Sequence, residues 1–219
     1  MLITRITPMH KPVIDTVVLR VMSFAHPRGI DILLEALNVS LVRLPAEVYN
    51  RDENSRPLKE DDEGLSELAK GLRYTQRQIQ QRPPAEALRY QKWMGNAQQL
   101  PRHFNEGSLI VETLTVEEVY QRSQLQKTCD KGEAACLLLA KRYQGQAVFL
   151  SSDKKACQVA KELDIPYLTL PDILEAWVEQ KQPTIEEFDA LVKSMRAANF
   201  DPDRKDAKIV DELRRRLQR

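Results

Sequence analysis

The chain has 219 residues, with 33 Lys and Arg against 32 Asp and Glu, so its net charge of +1 excludes polyanion binding by overall charge and leaves nucleic-acid affinity to local patches. At 42% hydrophobic and 30% charged residues it has the composition of a folded protein long enough to bury a core. Three cysteines without CxxC spacing and three scattered histidines argue against a disulfide framework and a zinc site.

The opening "MLITRITPMHKPV" lacks the apolar centre of a signal peptide, and no apolar run approaches the roughly 18 residues needed to cross a bilayer. A cytoplasmic protein with no membrane partner is expected. "PVIDTVVLRVM" is a short β-branched run broken by Asp15 and reads as a buried strand with that acid near its C-terminal end. "RGIDILLEALN" follows with Ile30, Leu33, Leu34 and Leu37 at helical spacing. "VSLVRLPAEVYNR" predicts a short strand and then a helix opening at Pro45, with Glu47 in its first turn.

Residues 51–108 change character. The stretch from Arg51 to Glu67 is acid-rich, whereas from Lys70 to His103 cations dominate, with Tyr74, Tyr90 and Trp93 among them. Two helices broken at Pro83–Pro84 are expected. The spacing of Lys70, Arg73 and Arg77 puts three cations on one helical face.

Beyond this stretch, "SLIVETL", "AVFLSS" and "IPYLTL" read as strands. "TVEEVYQRSQLQ" is a helix with a capping box from Thr115 to Glu118. "GEAACLLLAKRY", "KKACQVAKELD", "PDILEAWVEQKQ", "TIEEFDALVKSMRAA" and the tail "PDRKDAKIVDELRRRLQR" read as helices, the last with a thin apolar stripe of Ile209, Val210, Leu213 and Leu217. Short apolar strands alternating with helices predict a three-layer α/β fold around a parallel sheet, whose functional groups gather at the C-terminal ends of strands.

Asp15 and Asp153 sit at two such predicted ends, and Glu133 and Glu47 open helices. Converging carboxylates repel, and the cations suited to an oxygen-only set are Mg²⁺ and Mn²⁺. The plainer reading is that acids at helix starts answer the macrodipole, and the residues by themselves leave both readings open.

"VIDTVVL", "LPAEVYN", "DKGEAACLLLA" and "VFLSSDKKACQVAKELDIP", in that order, together resemble a PIN-domain protein over residues 12–50 and 108–180. The resemblance implies a Rossmann-like α/β/α fold with a helical insertion and C-terminal helices, and a Mg²⁺- or Mn²⁺-dependent ribonuclease. It implies that Asp15, Glu47, Glu133 and Asp153 are catalytic metal ligands, with Asp130 as an additional acid and Ser151 as a supporting hydroxyl. Ser152 stands where this branch commonly has an aspartate, and Asp164 where it has glycine. The implied reaction hydrolyses an RNA phosphodiester and leaves 5′-phosphate and 3′-hydroxyl ends.

On this reading residues 1–182 form the nuclease domain, with 51–108 a helical, partly basic insertion and 183–219 a C-terminal helical extension. Lys70, Arg73, Arg77, Arg89 and Lys92 become candidates for RNA contact. The alternative is a solvated helical hairpin with its aromatic rings packed inward. The tail helix would touch RNA, dock on a partner or second copy, or end bare at the surface. The resemblance also implies an RNA substrate, a homodimer and, for a toxin of a toxin–antitoxin pair, an antitoxin or other protein partner. Two other classes compete: a PIN fold that binds RNA or protein without cutting, and a phosphotransfer protein using Asp15 as nucleophile. The second is disfavoured because the chain has "D-T-V" where "D-x-D" would be needed.

Overall fold

Asp15 turns the first apolar run from strand into helix. The computed structural model describes residues 11–50, 65–202 and 208–218. In it β1 (Lys11–Ile14) ends one residue before Asp15, whose side chain accepts the Val18 N–H at 2.9 Å and caps α1 (Thr16–Ala25). The expected strand is present with Asp15 at its C-terminal end, and the rest of the run, to which the sequence reading gave no helix, is α1. A capping carboxylate outweighs the β-branched run, and Val18, Leu19, Val21 and Met22 are buried at helical spacing.

After α2 (Gly29–Leu37) comes β2 (Val42–Pro45). The helix expected to open at Pro45 does not form: residues 46–48 make a turn, with the Val48 N–H donating to Pro45 O at 3.0 Å. The carbonyls that would have continued such a helix are taken by the incoming α3 (Glu67–Gln81). Glu47 O accepts from the Glu67 N–H at 3.1 Å and Val48 O from Leu68 at 2.9 Å. The hairpin of α3 and α4 (Pro84–Ala97) breaks at Pro83–Pro84 as expected, and a short α5 (Gln99–Asn105) follows it. The acid-rich stretch lies, apart from Glu67, outside the described residues.

The remaining elements are β3 (Leu109–Glu112), α6 (Val116–Leu125), α7 (Lys131–Arg142), β4 (Ala147–Leu150), α8 (Lys154–Glu162), β5 (Tyr167–Leu168), α9 (Leu170–Lys181), α10 (Ile185–Ala197) and α11 (Ile209–Leu217). The Thr115–Glu118 capping box is present, with N–H donations of 3.2 and 2.7 Å. Among the described residues five parallel strands run in the order β3-β2-β1-β4-β5, so the fold is the expected α/β architecture. Residues 134–140 of α7 are all buried, and that helix lies against β1, β2 and β4.

The C-terminal helices pack on the same core. Phe188, Leu191, Val192 and Met195 of α10 are buried, as are Val210 and Leu213 of α11. Two residues of the tail's apolar stripe are thus covered by the chain itself, and Arg216 reaches Glu175 at 2.9 Å. Cys129, Cys136 and Cys157 are free and buried. Among the described residues no helix is long and apolar enough to cross a membrane.

Candidate active site

Strand order reverses direction between β1 and β4, and parallel sheets of this kind bind ligands in the crevice outside the strand ends at such a point. Asp15 follows β1 directly and Ser151 to Asp153 follow β4. Ile14 pairs with Leu150, and the Asp15 N–H donates to Leu150 O at 3.0 Å. Four helices start at this crevice. Asp15 caps α1, Glu67 opens α3, Glu133 lies in the first turn of α7 and Asp153 caps α8. Their N-terminal dipoles favour negative charge, which accounts for an acid at each start taken singly.

The dipoles do not compensate the set. Asp15 is 1% exposed, and among the described residues its Oδ2 has no hydrogen-bond partner. Burial pushes its pKa up to about 7; the Ser151 hydroxyl and the Val18 N–H pull down, while the charges of Glu133 and Glu67 push further up. Glu133 is also raised to about 7, first by burial and then by Asp153, Asp130 and Glu67, against the opposing Asp130 N–H at 3.0 Å.

Glu67 accepts the Thr16 hydroxyl and the Gly132 N–H, the latter at 2.9 Å. Gly132 has to be glycine for this contact, because a Cβ there would stand 2.5 to 2.7 Å from the Glu67 carboxylate atoms. The Asp153 Oδ1 accepts the N–H groups of Lys155 and Ala156 at 2.8 and 3.0 Å, and its own N–H donates to Ser151 Oγ at 3.1 Å. Ser151 is fully buried between the two aspartates. Ser152, at a position where an acid was expected from the resemblance, accepts the Leu170 N–H at 2.9 Å and ties down the start of α9.

Glu47 is placed differently. Its carboxylate pairs with Arg122 of α6, and both side chains are mostly covered. The crevice therefore gathers Asp15, Glu67, Asp130, Glu133 and Asp153, with Glu47 turned to an arginine. Glu67 is a site residue that the sequence reading did not single out. Its one sequence signal is a position at the start of an amphipathic helix, shared by many acids that do nothing else.

A cleft of about 690 Å³ opens beside the cluster, lined by Asp130, Glu133 and Asp153 together with Lys127, Lys154 and Lys155. The three lysines are exposed. Cations at the rim of a carboxylate floor suit a polyanionic chain whose charged backbone must approach acids.

The cations of the hairpin do not form one exposed stripe. Lys70 is exposed and Arg77 half-buried, but Arg73 is only 8% exposed, because its face of α3 turns toward the fold. Arg89 and Lys92 are exposed on α4, and Arg89 donates to the Tyr90 hydroxyl at 2.7 Å while lying over that ring. Tyr90 is buried and Trp93 half-buried, edge-on at a centroid distance of 5.1 Å, so these two rings pack inward. Tyr74 stays 49% exposed.

The donor set matches a hard divalent cation in kind. It offers only oxygens, one of them buried and unpartnered, and excess negative charge that two raised pKa values register. As the side chains stand, no three Asp, Glu, His or Cys groups among the described residues are placed to hold one ion. Glu67, Glu133 and Asp153 are turned to protein donors instead.

The fold is a Rossmann-like parallel sheet with a carboxylate crevice at its switch point. The family model DUF3368, described as a PIN domain, matches residues 73–218, and the chain belongs to the PIN-domain family. Members are generally nucleases and typically bind Mg²⁺ or Mn²⁺. The matched span contains Asp130, Glu133 and Asp153, whereas Asp15, Glu47 and Glu67 precede it. No curated protein and no solved structure matches the chain.

Proposed function

We propose that the protein is a metal-dependent endoribonuclease, with Mg²⁺ or Mn²⁺ held by Asp15, Glu67, Glu133 and Asp153, and with Asp130 at the rim of the site. The observation that carries this reading is the buried, unpartnered Oδ2 of Asp15, in a cluster where Glu133 is also pushed up to about 7. A folded chain gains nothing in stability from such a group, and a divalent cation would relieve it.

When bound, the cation would supply Lewis acidity toward a phosphate oxygen and activate water. The chain's own groups do the rest. Lys127, Lys154 and Lys155 would attract the RNA backbone to the cleft. Ser151 holds the Asp153 main chain in place. Glu133, whose pKa burial and the neighbouring acids raise to about 7 in the metal-free chain, would be held ionised as a ligand once the cation is bound. Glu47, held by Arg122, supports the fold beside the site.

The test is cleavage of a structured RNA in Mn²⁺, Mg²⁺ or EDTA by the wild type, Asp15→Asn and Asp153→Asn. The expected result is cutting that requires the cation, leaves 5′-phosphate ends and falls at least about 100-fold in each variant. A folded wild type that binds RNA equally in all three conditions and never cuts it would make the protein a binding module.

A further inference from the structure

Helices α1 and α3 leave the acid cluster side by side and in register. Thr16 meets Glu67 at the start of the seam; one turn on, Arg20 Cδ lies 3.8 Å from where a Cβ on Gly71 would be; a further turn brings Phe24 alongside Tyr74. Between them lies a second cavity of about 330 Å³, closed by Trp93 of α4 and by Phe200 after α10. That volume is at the small end for ligand pockets, which run from about 300 Å³ upward. Gly71 leaves the seam open: a Cβ there would meet only Arg20 Cδ, at 3.8 Å. Arg20 is exposed at this cavity, and its guanidinium has no hydrogen-bond or ion-pair partner among the described residues.

We propose that this cavity is a base-binding subsite for single-stranded RNA, in which a nucleobase stacks among Tyr74, Trp93 and Phe200 while Arg20 holds the adjoining phosphate. The inference rests on the ribonuclease reading and names where the substrate lies. At about 1.5 Å of rise per residue, Arg20 stands roughly 7 Å and Tyr74 roughly 10 Å along the seam from the acids, within reach of a nucleotide next to the one being cut. Aromatic walls favour a planar ring of any base, and a free arginine adds a phosphate contact without sequence preference.

The chain's two tryptophans separate this claim from its premise. Trp93 lines the cavity, whereas Trp177 is buried with its indole N–H on Glu35 at 3.3 Å. With EDTA present to prevent cutting, a short single-stranded oligoribonucleotide is titrated into the protein while the two indole N–H resonances are followed. The Trp93 signal is expected to shift and that of Trp177 to stay. Replacing one nucleotide by an abasic one should weaken binding about 10-fold, as should Gly71→Leu, which fills the cavity, and Arg20→Glu, which reverses the charge at an exposed position. Unchanged affinity in both variants with a silent Trp93, in a protein whose cutting still needs Asp15, would overturn the subsite and leave the nuclease standing. Absence of both RNA binding and RNA cutting would overturn the two together.

Discussion

Ionising Asp15 destabilises the folded chain. In the unfolded chain this carboxyl loses its proton near 3.8, and in the fold near 7. Below 3.8 both states are protonated and stability is unaffected; between 3.8 and 7 the unfolded state ionises first and stability falls; above 7 the loss is complete, on the order of 4 kcal/mol. Asp15→Asn keeps an acceptor for the Val18 N–H and removes the charge. Urea unfolding should find the variant more stable than the wild type by a few kcal/mol at pH 8 and about equal at pH 4, without added metal. Equal stability at pH 8 would mean that the charge is already compensated. Two glycines give a second pair of outcomes. Gly132→Ala puts a methyl where the Glu67 carboxylate lies; that carboxylate ends a flexible side chain and can swing aside, so the variant should change stability by less than about 1 kcal/mol yet lose most cleavage. Gly95→Ala, with open space around it on exposed α4, should stabilise by about 0.5 to 1 kcal/mol by helix propensity and leave cleavage alone.

At the level of elements, position alone does not separate a functional acid from a structural one. Glu112 ends β3 much as Asp15 follows β1, yet Arg43 at 2.9 Å, Arg142 at 3.2 Å and the Tyr143 hydroxyl neutralise it. Glu47 lies after β2 where a ligand was expected, and Arg122 holds it. Glu67, distant in sequence, returns to the crevice because α3 begins by hydrogen bonding to the turn that contains Glu47. These partners come from non-local packing, so one sequence without its fold offers no mark that sorts the three. Glu67→Gln should therefore lower cleavage at least 10-fold more than Glu47→Gln, whose main effect should be on thermal stability. The reverse order would put Glu47 back among the ligands. The elements themselves were legible where cap and periodicity agreed, as at Thr115. The helix after Asp15 was not read, because its β-branched residues disguise it, and Pro45 ended a strand where it was expected to open a helix.

On the scale of the whole molecule, strand order decides where chemistry can occur, and four helix starts concentrate acids there beyond what their dipoles offset. The C-terminal helices complete the core behind this crevice and leave α6 exposed, with Val116, Val119 and Tyr120 on its surface. The order of the four motifs was enough to expect the sheet and its acidic edge, because strand–helix alternation is local. The hairpin's inward-facing Arg73 and the pairing of Glu47 depend on contacts across the fold and were not readable. The most direct measurement is calorimetric titration of Mn²⁺ into the metal-free protein at pH 7, in two buffers of different ionisation enthalpy. With Asp15 and Glu133 each about half protonated at that pH, binding should release about one proton, and Asp15→Asn should weaken the binding and reduce the release. No heat of binding, or binding that releases no proton and is untouched by Asp15→Asn, would contradict a cation site in this crevice.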